Sequence, residues 1–121
     1  MADPKINKLH FSGRLAADPD LRFTPSNMPV CNVRLLQNSR SKGPNGEWVD
    51  GDPIPLDVAI WGKRGEAFAK YHKKGQLAYV EGKLRFDTWT KDGERRSKLK
   101  LDADNWEFMP NGGDSDPDTP F

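Results

Sequence analysis

The sequence has few of the residues on which small enzymes and secreted domains depend. It holds one cysteine, Cys31, and two histidines, so no intrachain disulfide can form and no Cys/His zinc site can be built. No apolar run approaches the roughly 18 residues that a membrane span needs. Residues 1–5 lack the basic and then apolar order of a secretory signal. These absences predict a soluble intracellular protein with no metal and no cofactor.

Catalytic arrangements are also missing. His10 falls at an outward strand position and His72 in a helix, and neither has a partner motif. Cys31 lies on an apolar face, where a cysteine packs more often than it reacts. No glycine-rich phosphate loop occurs. The sequence therefore favours a binding protein over an enzyme.

The charge is divided unevenly along the chain. Residues 110–121 carry three aspartates and no basic residue, whereas residues 1–109 carry 19 basic and 15 acidic residues. The formal net charge of +1 thus combines +4 on the body with −3 on the tail. We divide the chain into a folded domain, 1–109, and a short flexible linker with an acidic tip, 110–121. The body remains a candidate for a polyanion partner.

Most of the body shows the two-residue alternation of β-strands. The alternating segments cover residues 8–15, 30–36, 56–61, 76–90 and 98–103. Trp106 and Phe108 follow the last of them. A short segment, 21–23, lies between turn signals, and 38–53 reads as a long polar loop. Residues 63–74 predict the one helix, with Gly75 after it. Asp92-Gly93 predicts a tight hairpin turn. An all-β chain with one helix between strands three and four fits a five-stranded Greek-key barrel, the OB-fold.

The same alternation predicts which side chains point away from the core. Basic residues are mixed there with tryptophans, and the candidates for nucleic-acid binding are Trp61, Trp89, Arg34, Lys83, Arg85, Lys98, Lys100, Arg95, Arg96 and, from the loop, Trp48. Unpaired bases stack on aromatic faces while Lys and Arg follow the phosphates. The pattern therefore predicts binding of single-stranded nucleic acid with little sequence preference.

Each aromatic also has a structural interpretation. Trp106 and Phe108 are expected to close the barrel end, and Phe68 and Tyr71 to belong to the buried stripe of the helix. Trp48 could stack on a base or pack back on the protein. Tyr79 points outward near the helix, where packing or a subunit contact competes with binding. The basic residues could form an ordinary solvated face.

Three segments, taken in order, resemble the bacterial single-stranded DNA-binding proteins. Residues 7–35, NKLHFSGRLAADPDLRFTPSNMPVCNVRL, are similar to the family's opening pattern N-K-V-x-L-x-G-x-L-x-x-D-P-E-x-R-Y-T. Residues 57–89 resemble its aromatic-Gly-Lys, helix and Y-x-x-K-G-x-x-V-x-V-E-G-x-L-R segment. The end, DPDTPF, is similar to the acidic tip D-D-D-I-P-F. The resemblance implies an OB-fold homotetramer that protects single-stranded DNA in replication, recombination and repair, in the bacterial cytoplasm at the nucleoid.

The resemblance also assigns roles to particular residues. The family's stacking aromatics fall on Trp61 and Trp89. Its acidic tip binds replication and repair enzymes, and the partner-binding residues here are Asp116, Asp118, Pro120 and Phe121. An exposed terminal Phe suits a small pocket with a basic rim.

The chain departs from the family pattern at several positions. Pro55 stands where the family often has Trp before the third strand, and Arg40-Ser41 where it often has another after the second. The linker is reduced to residues 111–113, and Pro117 and Thr119 replace an acid and an Ile. These losses keep open a protein-interaction module of the same fold. An RNA-binding OB-fold protein also stays open, because DNA and RNA both offer bases that stack on aromatic rings.

Overall fold

The structure, a computed structural model, describes residues 3–110. Within that range it contains eight strands and one helix, numbered in chain order. They are β1 (Leu9–Leu15), β2 (Asp20–Phe23), β3 (Pro29–Gln37), β4 (Arg40–Lys42), β5 (Trp48–Asp50), β6 (Ile54–Trp61), α1 (Lys63–Tyr71), β7 (Leu77–Lys91) and β8 (Glu94–Phe108).

Five of these strands pair in a closed ring. β1 is antiparallel to β7, β7 to β8 and β3 to β6, β8 runs parallel to β6, and a β3–β1 pairing completes the circuit. β2 pairs with residues 29–32 of β3, on the edge that pairs with β1 at residues 35–36. The ring confirms the predicted five-stranded fold with its helix between the third and fourth strands. Closure leaves few unpaired strand edges in the body of the domain.

The barrel interior is filled by the alternating side chains that the sequence placed there. The fully buried members include Cys31, Leu35, Ile60, Val80 and Leu101. The helix closes one end by inserting Phe68, whose ring meets Trp106 edge-on at 5.6 Å between centroids. Trp106 is 7% exposed and donates its indole N–H to the Arg64 carbonyl. Its predicted role in closing the barrel end is confirmed.

The helix is shorter than the predicted 63–74. It ends at Tyr71, because His72 takes an extended backbone conformation while its ring stacks on Phe68 at 3.9 Å. Gly75, at φ 88°, then turns the chain so that its N–H reaches the Leu15 carbonyl. Tyr71 is half exposed rather than part of the buried stripe, and Phe108 is largely exposed beside the barrel end.

The described residues contain no helix of the length and hydropathy that a membrane crossing requires.

The loop predicted over residues 38–53 is partly wrong. Arg40–Lys42 and Trp48–Asp50 pair as a short antiparallel hairpin that forms a separate two-stranded sheet. Its polar sequence lacks the alternating apolar residues from which strands are recognised, since both strands are exposed on both faces.

The longest feature is the β7–β8 hairpin, whose two strands have fifteen residues each. Its turn has Asp92 at φ 54° and Gly93 at φ 80°, the left-handed conformations that a two-residue hairpin turn requires. A bulge interrupts the pairing, because Gly82 is opposite Ala103 whereas Glu81 is opposite Asn105. Asp104 is thus the extra residue. The bulge shifts the alternation so that both Ala103 and Trp106 face the core.

Candidate nucleic-acid interface

The outward side chains of β3, β6, β7 and β8 form one continuous surface, here called the basic face. Strand register sets its rows: Arg34 lies opposite Asp57, Arg85 opposite Lys100, and Asp87 opposite Lys98. Toward the hairpin turn, a further row pairs Trp89 with Arg96. A single strand register therefore gathers most of the basic candidates on one side of the barrel.

Trp61 and Trp89 mark two ends of this face. Trp61 is the last residue of β6 and is 45% exposed, and Trp89, near the hairpin turn, is 40% exposed. The Trp61 indole N–H points to the Asp102 carboxylate at 3.5 Å. Each ring is half buried and half open, which leaves surface on which a planar base can stack.

A depression of about 340 Å³ lies over β3 and β6. Its polar lining includes Asn32, Arg34, Asp57 and Lys100, with Asp18 from the segment after β1 and Asp20 at the start of β2. In OB-folds the ligand groove runs across the second and third barrel strands, here β3 and β6. The concave part of the surface coincides with that position.

The cations of the basic face are extensively paired with aspartates. Arg34 donates to both oxygens of Asp57, at 2.8 and 3.3 Å, and Lys98 contacts the same carboxylate. Arg85 donates to Asp102 at 2.7 Å and lies 3.4 Å from Asp87. The Lys100 ammonium lies 3.4 Å from Asp87 on its other side.

These contacts shift the titration of the groups involved. The hydrogen bond from Arg34 lowers the pKa of Asp57. Partial burial acts in the opposite direction, and Lys98 lowers the pKa further. The same bond to Asp57 raises the pKa of Arg34. At neutral pH the carboxylate is therefore ionised, and the face holds a fixed negative charge among its cations.

Two of the predicted residues, Arg95 and Trp48, lie off the basic face, whereas Lys83 lies on it as predicted. Lys83 is exposed. Arg95 is opposite Thr90, on the other side of the hairpin from the row of Trp89 and Arg96. Trp48 lies on the separate β4–β5 hairpin, 61% exposed, with the Arg40 guanidinium 5.9 Å from its ring centroid.

The sequence prediction omitted the aspartates of the basic face. Alternation already placed Asp57 and Asp87 outward, and Asp102 outward on the last strand. Alternation does not give the register between strands. That register places each carboxylate beside two hydrogen-bond or ion-pair donors instead of leaving it in solvent. The sequence did carry one signal for these contacts: aspartates and basic residues both occur at outward positions of neighbouring strands.

A second polar cluster lies on the outer side of β1, β7 and β8, around Tyr79. The Tyr79 hydroxyl donates to Glu81 at 2.7 Å, and His10 Nδ1 lies 2.6 Å from that hydroxyl. The bond to Glu81 raises the pKa of Tyr79 and lowers that of Glu81. Tyr79 is thus held in a hydrogen-bonded network of its own.

The predicted partner-binding residues Asp116, Asp118, Pro120 and Phe121 lie outside the described residues.

The barrel and its face define a class of protein, an oligonucleotide-binding type of barrel with aromatic and basic groups on its ligand groove. The chain matches the single-strand binding protein family over residues 6–109. It is 38% identical over 117 residues to a single-stranded DNA-binding protein of Borreliella burgdorferi, covering 95% of this chain and 76% of the relative. The chain therefore belongs to the single-strand binding protein family. The family assignment agrees with a binding protein rather than an enzyme.

Further matches extend the likeness to other lineages and to solved structures. A single-stranded DNA-binding protein of Aquifex aeolicus is 38% identical over 100 residues, covering 83% of this chain and 67% of the relative. A variant of the single-stranded DNA binding protein from Thermus aquaticus superposes with a TM-score of 0.75 at 29% identity, covering 88% of this chain and 52% of that one. A Plasmodium falciparum complex with single-stranded DNA shares the fold, with a TM-score of 0.79 at 18% identity, over 91% of this chain and 100% of that one.

Proposed function

We propose that this protein binds single-stranded DNA with little base preference. The observation that carries the proposal is the basic face itself, on which two half-exposed tryptophans flank a row of arginines and lysines. Membership of the single-strand binding protein family supports it, as do the names of the relatives.

The chemistry of the face favours a single strand over a duplex. Stacking on an aromatic ring requires an unpaired base and contributes about 1–3 kcal/mol per base. Paired bases cannot offer their faces to Trp61 or Trp89. Lys and Arg side chains neutralise phosphates in either form, so they supply affinity and salt dependence but little discrimination.

We further propose that the domain works as a homo-oligomer, and specifically as a homotetramer. One OB-fold covers only about 4–16 nucleotides, so association of several copies lengthens the binding site. Large apolar side chains on the hairpin side away from Trp89 support this proposal, since Phe86 is 64% and Leu99 56% exposed. Packing against another copy would cover them.

The biological setting remains part of the proposal. The domain over residues 1–109 would protect exposed strands during replication, recombination and repair, in the bacterial cytoplasm at the nucleoid. The tail over residues 110–121 would recruit replication and repair enzymes through Asp116, Asp118, Pro120 and Phe121. Its aspartates and terminal Phe are the support for this part.

The test uses the tryptophans as reporters. Adding poly(dT) at low salt should quench the emission, because Trp61 and Trp89 stack on bases whereas Trp106 is buried in the barrel end. Trp61→Phe with Trp89→Phe in one chain should remove most of the quenching. Unchanged emission of the wild-type protein would refute the stacking assignment. Competition by poly(rU) then separates a DNA-binding from an RNA-binding protein.

A further inference from the structure

Asp57 and Asp87 stand out on the basic face because each bridges two cations. Asp57 on β6 joins Arg34 of β3 to Lys98 of β8, and Asp87 on β7 contacts Arg85 and Lys100. Three of these contacts cross from strand to strand, and the Arg85–Asp87 contact lies within β7. Each carboxylate is therefore the centre of a three-residue group rather than one half of a simple surface pair.

The cations that hold these carboxylates are groups that also bind phosphate. A guanidinium binds a carboxylate and a phosphate through the same N–H donors and at similar distances. Arg34 makes a two-bond contact of that kind with Asp57. The Asp57 side chain is 19% exposed, while Arg34 is 52% and Lys98 36% exposed. The cations are thus more accessible than the anion between them.

We propose that Asp57 and Asp87 are built-in competitors of the DNA phosphates. In the free protein they hold the cations of the basic face in place, and on binding the cations exchange a carboxylate for a phosphate partner. This inference rests on the proposed function, single-stranded DNA binding by this face. Asp102 is excluded from it, because Asp102 also contacts the Trp61 indole.

The exchange has a consequence for salt dependence. A phosphate neutralised by protein releases its condensed counterion, which gives a slope of about −0.7 per contact on a single strand. A carboxylate freed from its cation keeps its negative charge on the face, so the net positive charge that meets the strand is lower than the number of cations. The net release is therefore smaller than the number of cations on the face implies.

The experiment compares Asp57→Asn and Asp87→Asn with the wild-type protein. Binding of labelled oligo(dT) is measured from about 50 to 300 mM salt. One negative charge removed about 6 Å from a phosphate, in a water-like dielectric, should tighten binding about threefold. The salt slope should steepen by up to about 0.7 for each variant. Glu107→Gln is the matched control, because it removes the same charge from a residue opposite Tyr79, on the far side of the bulge.

The outcomes separate this inference from the proposed function. Wild-type protein that fails to bind oligo(dT) would refute the proposed function. Wild-type protein that binds, with both Asn variants unchanged or weaker, would overturn the inference alone. Circular dichroism and thermal unfolding of both variants are measured in parallel. If both variants lost the folded barrel, the aspartates would be structural groups and the inference would also be overturned.

Discussion

Replacing Trp61 by Ala should weaken DNA binding and also lower the stability of the fold, and the structure gives the approximate size of both effects. A base stacked on an aromatic ring contributes about 1–3 kcal/mol, so the dissociation constant for oligo(dT) should rise roughly 5- to 150-fold. The ring is 45% exposed, so about half of a tryptophan's 150–250 Å² lies against the protein. At about 25 cal/mol per Å², that burial is worth at most about 3 kcal/mol of stability.

The two effects are similar in size, so both must be measured on the same variants. Affinity is taken from titration with labelled oligo(dT), and the free energy of unfolding from urea denaturation. Trp61→Phe keeps an aromatic face and should retain most of the stability and part of the affinity, whereas Trp61→Ala should lose more of each while remaining folded. A folded Trp61→Ala protein that bound oligo(dT) like the wild type would refute the stacking role.

Three other changes test different parts of the molecule. Gly82→Ala should destabilise the barrel by more than about 2 kcal/mol, because a Cβ there would overlap the Asp102 carbonyl oxygen, whereas Gly51→Ala meets only Ser39 at 3.3 Å and should change urea stability little. Burial lowers the pKa of His72, which is 4% exposed, so the unfolded chain binds the proton more tightly and stability should fall below about pH 6.5, by up to about 1.4 kcal/mol per pH unit. In urea titrations His72→Phe should remove that part of the pH dependence, and an unchanged dependence would show that other groups cause it. Deleting Phe121 should leave oligo(dT) affinity unchanged while abolishing capture of a replication or repair enzyme, and retained capture would end the proposal for the tail.

Strand alternation predicted the fold where each strand buries one face. Cys31, Val33 and Leu35 lie inside the barrel as expected, since their neighbours on β3 alternate without interruption. The hairpin turn at Asp92-Gly93 was equally readable, because few sequences tolerate two left-handed residues in succession. At these positions the local sequence pattern favours the same conformation that the complete fold requires.

The remaining features depend on contacts between distant segments. The helix ends early because His72 finds a stacking site on Phe68, which a helical pattern cannot show. Arg95 and Arg96 are adjacent in the sequence, and only the pairing of Arg96 with Trp89 decides which of them joins the basic face. The aspartate bridges likewise depend on register among β3, β6, β7 and β8.

The central claim is that the basic face recognises unpaired strands. Its most direct test is an equilibrium titration of the full chain with a labelled oligonucleotide, single-stranded and annealed to its complement, in the same low-salt buffer. Two stacked bases predict that the single strand binds at least about tenfold more tightly than the duplex. Equal affinity for the two forms would contradict the account, because charge alone would then explain the binding.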